Sequence, residues 1–267
     1  MEILGYVGAL CIGLIMGLLG GGGSILAVPI LVYLMGVSPV LATAYSLFIV
    51  GLASLIGAGT YYRQQLVSVK TAVIFGIPSL IAVYLARKFL VPAIPDPFFH
   101  IGSFSVGKDM FIMGLFAFLM VGAAISMIRK GSGNELPDAE GPQQFNFPLI
   151  MLEGAVVGVL TGIVGAGGGF LIIPALVVFS KLPMKLAVGT SLLIISAKSL
   201  IGFLGDLGGE SMIAWNFLFV FSGLAIVGIF LGVYFSKFVP GEKLKPAFGY
   251  FVLLMGVFIL TKELVLT

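Results

Sequence analysis

Two glycine-rich breaks, 145 residues apart and each set inside a strongly apolar run, constrain this chain more than anything else in it. The first reads Gly17-Leu18-Leu19-Gly20-Gly21-Gly22-Gly23-Ser24-Ile25-Leu26-Ala27-Val28-Pro29, and the second Gly162-Ile163-Val164-Gly165-Ala166-Gly167-Gly168-Gly169-Phe170-Leu171-Ile172-Ile173-Pro174. The same offset aligns Gly13 with Gly158, Leu41-Ala42 with Leu186-Ala187, Ser46-Leu47 with Ser191-Leu192, and Ser54-Leu55-Ile56-Gly57 with Ser199-Leu200-Ile201-Gly202. A register held without a gap over that distance is an internal repeat. Interrupted apolar segments at matching positions of two halves are how secondary transporters build a binding site near the bilayer midplane.

The rest of the chain can only be a membrane protein. Of 267 residues, 60% are hydrophobic and 9% charged, against roughly 25% charged in a soluble domain. The mean hydropathy is +1.20. The net charge of +3 is scattered over short loops, so nucleic acid is not an expected partner. Cys11 stands alone and so does His100; neither a disulfide nor a metal site is expected, and no cofactor. Met1-Glu2 carries no basic stretch, so the first apolar run reads as retained rather than as a cleaved signal.

Apolar runs are expected near 3–19, 24–36, 40–61, 69–90 and 110–128, and again near 148–163, 169–180, 186–205, 212–235 and 246–263. The expected division is a first repeat over 1–130, a polar cytoplasmic linker over 131–147 and a second repeat over 148–267. Segments 24–36 and 169–180 cover only about 20 Å, too little for a hydrocarbon core of about 30 Å. Each reads as the return arm of a re-entrant hairpin, followed by three full crossings. The fold class is therefore all-α, integral to the membrane, with two inverted repeats. The positive-inside rule gathers Arg63, Lys70, Arg129, Lys130, Lys181, Lys185, Lys237, Lys243 and Lys245 on the cytoplasmic side of a cell membrane and puts both termini outside.

The candidate site follows from these breaks. A helix N-terminus offers unpaired N–H groups and a positive dipole end to an anion. Helices opening near Ser24 and Gly169 would aim two such ends at one mid-depth volume. The residues expected to hold a small anion are Gly20, Gly21, Gly22, Gly23 and Ser24 from the first break, and Gly165, Gly167, Gly168 and Gly169 from the second. The alternative for these glycines is close helix packing. The following segments add Ser46, and a helical stripe of Ser191, Ile195, Lys198 and Gly202. Thr190, whose repeat counterpart is Tyr45, extends the second half of the site. Lys198 reads as the only Lys or Arg well inside an apolar segment, and Ala53 is its counterpart. It is either the countercharge for the solute or a lysine that snorkels or pairs with Glu153. Trp215, Tyr61, Tyr62 and Tyr84 read as interfacial belt residues, and Cys11 as packing. Paired acids, a histidine cluster or a poised nucleophile are not legible, so the chain is not expected to be an enzyme.

The two glycine motifs, the run Ala187-Val188-Gly189-Thr190-Ser191-Leu192 and the Met127-Ile128-Arg129 that closes the first half resemble the TauE/SafE family of sulfite-exporter permeases. The resemblance covers essentially the whole chain. It implies transport, commonly export, of small and often sulfur-containing anions such as sulfite or organosulfonates. The first half departs from the pattern by placing Tyr45 where the second half has Thr190. The combined expectation is a secondary transporter working by alternating access, with a passive anion channel as the alternative. Its partners would be the lipid bilayer and a small anionic solute, and a homodimer is compatible although no interface is legible.

Overall fold

The computed structural model describes residues 2–101, 104–129, 147–165, 168–178, 182–207, 213–236, 238 and 241–265. Residues 130–146, nearly all of the expected linker, and Gly167 lie outside this set.

The chain folds into helices α1 (Glu2–Leu19), α2 (Ala27–Pro29), α3 (Pro39–Arg63), α4 (Val69–Leu85), α5 (Val91–Ala93), α6 (Lys108–Arg129), α7 (Phe147–Val164), α8 (Gly169–Val178), α9 (Met184–Leu204), α10 (Trp215–Phe235) and α11 (Gly241–Val265). A π-helical turn, Ala86–Leu90, carries α4 into α5. The proline-rich connection that follows holds a two-stranded antiparallel ribbon, β1 (Phe99–Ile101) and β2 (Phe104–Val106), with His100 opposite Ser105. Six stretches among the described residues are long and apolar enough to cross a membrane: Ile3–Leu34, Pro39–Arg63, Val69–Ala93, Lys108–Ile125, Lys185–Leu204 and Trp215–Phe235.

The first of these is not one straight helix. Gly20 has φ +67°, a left-handed conformation that only glycine adopts at little cost and that ends α1. Beyond it the chain folds back. Side-chain positions at Gly8 and Gly5 would run into Ile30 and Met35, and one at Gly23 into Met16 and the Ile12 carbonyl. The returning arm is a 3₁₀ helix, Gly20–Leu26, then α2, then a π-helical turn, Ile30–Leu34. In the second half Gly165 has φ +72° at the equivalent place, and α8 begins four residues later.

The ends of the two arms are built alike. The Val37 N–H donates to the Leu31 carbonyl at 3.0 Å, and the Leu182 N–H to the Leu176 carbonyl at 3.1 Å. The residues capping α3 and α9, Ser38 and Pro183, share extended backbone angles, φ −58°, ψ 144° and φ −54°, ψ 144°. Two hydrogen bonds thus repeat at the 145-residue offset seen in the sequence, since Ala42 to Ser38 and Ala187 to Pro183 also match.

Helix pairing respects the same exchange of halves. α1 packs on α10 as α7 packs on α4, α3 on α10 as α9 on α4, while α3 pairs with α9 and α6 with α11. Small residues permit these approaches: Gly154, Gly158 and Gly162 of α7 lie against Phe75, Ser79 and Val83 of α4, and Gly13 and Gly17 of α1 against Ala225 and Ile229 of α10. At the centre, Leu47, Gly51 and Gly57 of α3 face Gly202, Leu200 and Leu192 of α9. Positions rising along one helix fall along the other, so these two repeat-equivalent helices run antiparallel. Cys11, expected in packing, lies on an exposed face of α1.

Candidate functional site

The two bends meet. A side chain at Gly21 would collide with the Gly169 backbone and the Ile195 side chain, and one at Gly169 with the Gly21 backbone. Every residue from Gly20 to Leu26 is buried, as are Gly165, Gly168 and Gly169. Three residues of the α9 stripe marked in the sequence, Ser191, Ile195 and Lys198, line this crossing, while Gly202 faces Val83 and Leu47. A methyl group at Gly20 would lie 3.1 Å from Ser191 Oγ, Ile195 touches Gly21, and Lys198 Nζ and Thr161 lie where a side chain at Gly168 would go. Gly165 sits against Thr43, the counterpart of the Val188 that sits against Gly20.

The two helix origins differ. α8 is a regular helix that opens at Gly169. The first arm does not start a helix at Ser24: its 3₁₀ coil follows directly on Leu19, and Ser24 Oγ donates to the Gly21 carbonyl at 2.7 Å. A regular helix N-terminus therefore stands at the break of the second half and not at that of the first.

Lys198 lies at that end. Its side chain is fully buried, 0% exposed, and Nζ donates to Thr161 Oγ1 at 2.7 Å. The Thr161 hydroxyl in turn donates to the Val157 carbonyl at 2.7 Å. The amine is buried and meets a hydroxyl, so Lys198 neither snorkels nor pairs with Glu153. An ammonium beside a helix N-terminus adds like charge to like. Lys198 Nζ and the first turn of α8 thus lie side by side, two groups of the kind that attract an anion.

The hydroxyls divide. Ser46 Oγ is buried without a hydrogen-bond partner, as are Ser54, Ser79, Ser199 and Ser222 Oγ. Ser191 Oγ donates to the Val188 carbonyl at 2.8 Å. Thr190 is engaged in the scaffold: its Oγ1 accepts the Ser68 N–H at 2.8 Å, at the start of α4. Tyr45, its counterpart, does the same for the other half, its hydroxyl accepting the Ala214 N–H at 2.8 Å at the start of α10. The tyrosine that breaks the sequence pattern thus preserves the structural one. Its ring packs on Phe217 within a larger aromatic group.

Sequence reading missed a second buried cation. Arg87, which reads as a charge at the end of its segment, is 1% exposed. Its Nη2 lies 2.7 Å from Asp206 Oδ2, and Nε donates to both carboxylate oxygens at 2.9 and 2.8 Å. Nη1 donates to Thr43 Oγ1 at 2.9 Å and to the Gly162 carbonyl at 3.2 Å. Tyr61, expected in the interfacial belt, is buried and donates its hydroxyl to the Gly17 carbonyl at 3.1 Å. Tyr62 and Trp215 are exposed.

Residues 6–259 match the family described as "Sulfite exporter TauE/SafE". A "Probable membrane transporter protein" of Xylella fastidiosa is 28% identical over 94% of this chain and 92% of its own. "Probable membrane transporter protein YunE" of Bacillus subtilis is 30% identical over 74% of this chain and 77% of its own. A probable membrane transporter of Methanocaldococcus jannaschii is 27% identical over 89% and 83% respectively. No solved structure matches the chain.

Proposed function

Starting from the fact that this chain belongs to the sulfite exporter TauE/SafE family of membrane transporters, we propose that it is a secondary transporter of small, sulfur-containing oxyanions. Lys198 carries the reading. A fully buried lysine amine at the origin of α8, with a hydroxyl as its partner and no carboxylate near it among the described residues, supports an anion there as its countercharge. Gly168, Gly169, Thr161 and Lys198 would hold the solute, and Ser46, Ser191 and the first bend, Gly20 to Ser24, would complete its cage, together with Gly167.

The mechanism is alternating access by two inverted repeats, 1–130 and 148–267, each a re-entrant hairpin and three crossings joined by a cytoplasmic linker. The antiparallel packing of α3 on α9 supports inversion, because equivalent helices that run oppositely are related by an axis lying in the membrane plane. Burial of both bends supports a carrier that occludes its cargo rather than a standing pore. Transport is outward across the cell membrane, and both termini are external.

Counterflow in proteoliposomes tests the proposal. Liposomes preloaded with unlabelled sulfite should accumulate labelled sulfite transiently above equilibrium, and those carrying Lys198→Ala should not. Uptake without an overshoot, at rates unaffected by preloading, would identify a channel instead.

A further inference from the structure

The two hairpin tips are tied down by different chemistry. Gly17 and Gly162 occupy equivalent places, in the last turn before each bend, where a helix leaves carbonyls without intrahelical partners. Tyr61 holds the first with a neutral hydroxyl. The residue equivalent to Tyr61 is Asp206, and a carboxylate cannot donate to a carbonyl. Arg87, arriving from the end of α4, stands between them and converts acceptor to donor: it takes Asp206 on one edge of its guanidinium and gives the Gly162 carbonyl and Thr43 hydroxyl the other. Gly162 is followed in the bend by Gly165, which rests on Thr43, and preceded by Thr161, which holds Lys198. One side chain therefore fixes α7, α3 and the turn after α9 around the binding site.

We infer that Arg87 is a positioning residue that gates the Asp206 end of the pathway: paired to Asp206 it pins the tip of the second bend to α3, and loss of the pair opens the site to that side alone. The ionic tie is the one of the two that a passing anion can undo, by taking the carboxylate's place on the guanidinium. Asp206 is positioned for that exchange, its side chain 17% exposed against 0% for Arg87. This use of the gate rests on the anion reading above; the gate itself does not.

The test is thiol labelling with a membrane-impermeant maleimide in sealed vesicles, on a Cys11→Ser background. Ser46→Cys is the reporter, buried on α3 one turn inward of Thr43. Leu207→Cys, exposed beside Asp206, defines the side from which label is applied. Adding Asp206→Asn to the reporter should speed labelling from the Leu207 side about tenfold or more, the factor equivalent to losing one charge-assisted hydrogen bond, with no change from the opposite side. Arg87→Lys keeps the buried charge but loses the fork, should give a smaller rise from the same side, and carries the test if Asp206→Asn does not reach the membrane. Unchanged labelling from the Leu207 side, or an equal rise from both sides, overturns the gate. No anion is present in this assay, so a Lys198 variant with normal transport would overturn the anion site and leave the labelling result standing.

Discussion

Replacing Lys198 by methionine separates a binding lysine from a structural one, because the two roles move affinity and stability in opposite ways. Methionine keeps the length and volume of the stem and fits apolar surroundings. A charged group at the bilayer centre costs about 2.5–3.5 kcal/mol on insertion scales, and removing it relieves that cost. The loss on the other side is one hydrogen bond to Thr161 Oγ1, and Thr161 keeps its own bond to the Val157 carbonyl. That loss is about 1.5–3 kcal/mol, the value for a bond to a charged group. The two terms nearly cancel and leave the variant about as stable as its parent. Anion binding loses a charge-assisted hydrogen bond of about 1.5–3 kcal/mol, a factor of about 10 to 150 in Kd. Titration calorimetry with sulfite in detergent and thermal unfolding of the ligand-free protein measure the two quantities. Unchanged affinity, or a melting temperature several degrees lower, would refute the reasoning and make Lys198 a scaffold residue.

The remaining expectations concern the frame around the site. Gly165→Ala forces a left-handed conformation of about 1–2 kcal/mol on alanine and drives its methyl into Thr43, so thermal unfolding should fall by several degrees. Gly59→Ala, where nothing lies within 4 Å, should leave it unchanged; equal behaviour of the two would count against a strained bend. Thr190→Val and Tyr45→Phe each leave a helix-start N–H without its partner, at about 1–3 kcal/mol. Comparable losses of stability in both are expected, and a loss in Thr190→Val confined to binding would instead place that hydroxyl on the solute. Burial pushes the Asp206 carboxyl up, and the Arg87 guanidinium facing it pulls less strongly the other way. Asp206 therefore takes its proton above the usual ~4 of an aspartate, and the ion pair is lost as pH falls through that raised value. Labelling of the Ser46→Cys reporter from the Leu207 side should rise on mild acidification relative to the Asp206→Asn variant; parallel profiles would contradict it.

What the sequence disclosed and what it hid follow the range of the forces involved. Helix positions and bends are written locally, in apolar runs and glycines, and the expected segments 3–19, 148–163 and 186–205 fall within about two residues of α1, α7 and α9. The α9 stripe was legible because a 3.6-residue period needs no partner to be read, and the structure turns Ser191, Ile195 and Lys198 of it toward the bends. Arg87 was not, since a cation near the end of an apolar run looks the same whether it meets water or a carboxylate 119 residues away. The signal was present in the repeat: Asp206 stands where Tyr61 stands, and a swap of donor for acceptor calls for a third group. Thr190 shows the reverse case. Its place beside Ser191 suggested a ligand contact, and only the fold reveals the Ser68 amide that it accepts from. The 3₁₀ course of the first arm, with Ser24 turned back on Gly21, depends on packing that four consecutive glycines leave open.

The most direct test of the anion site is to locate the anion. A structure of the protein with selenite, read by the anomalous signal of selenium, should show one site where Gly21 meets Gly169, about 3 Å from Lys198 Nζ and the first amides of α8. Selenium bound elsewhere, with the space between Lys198 and α8 closed by protein atoms, would contradict the account.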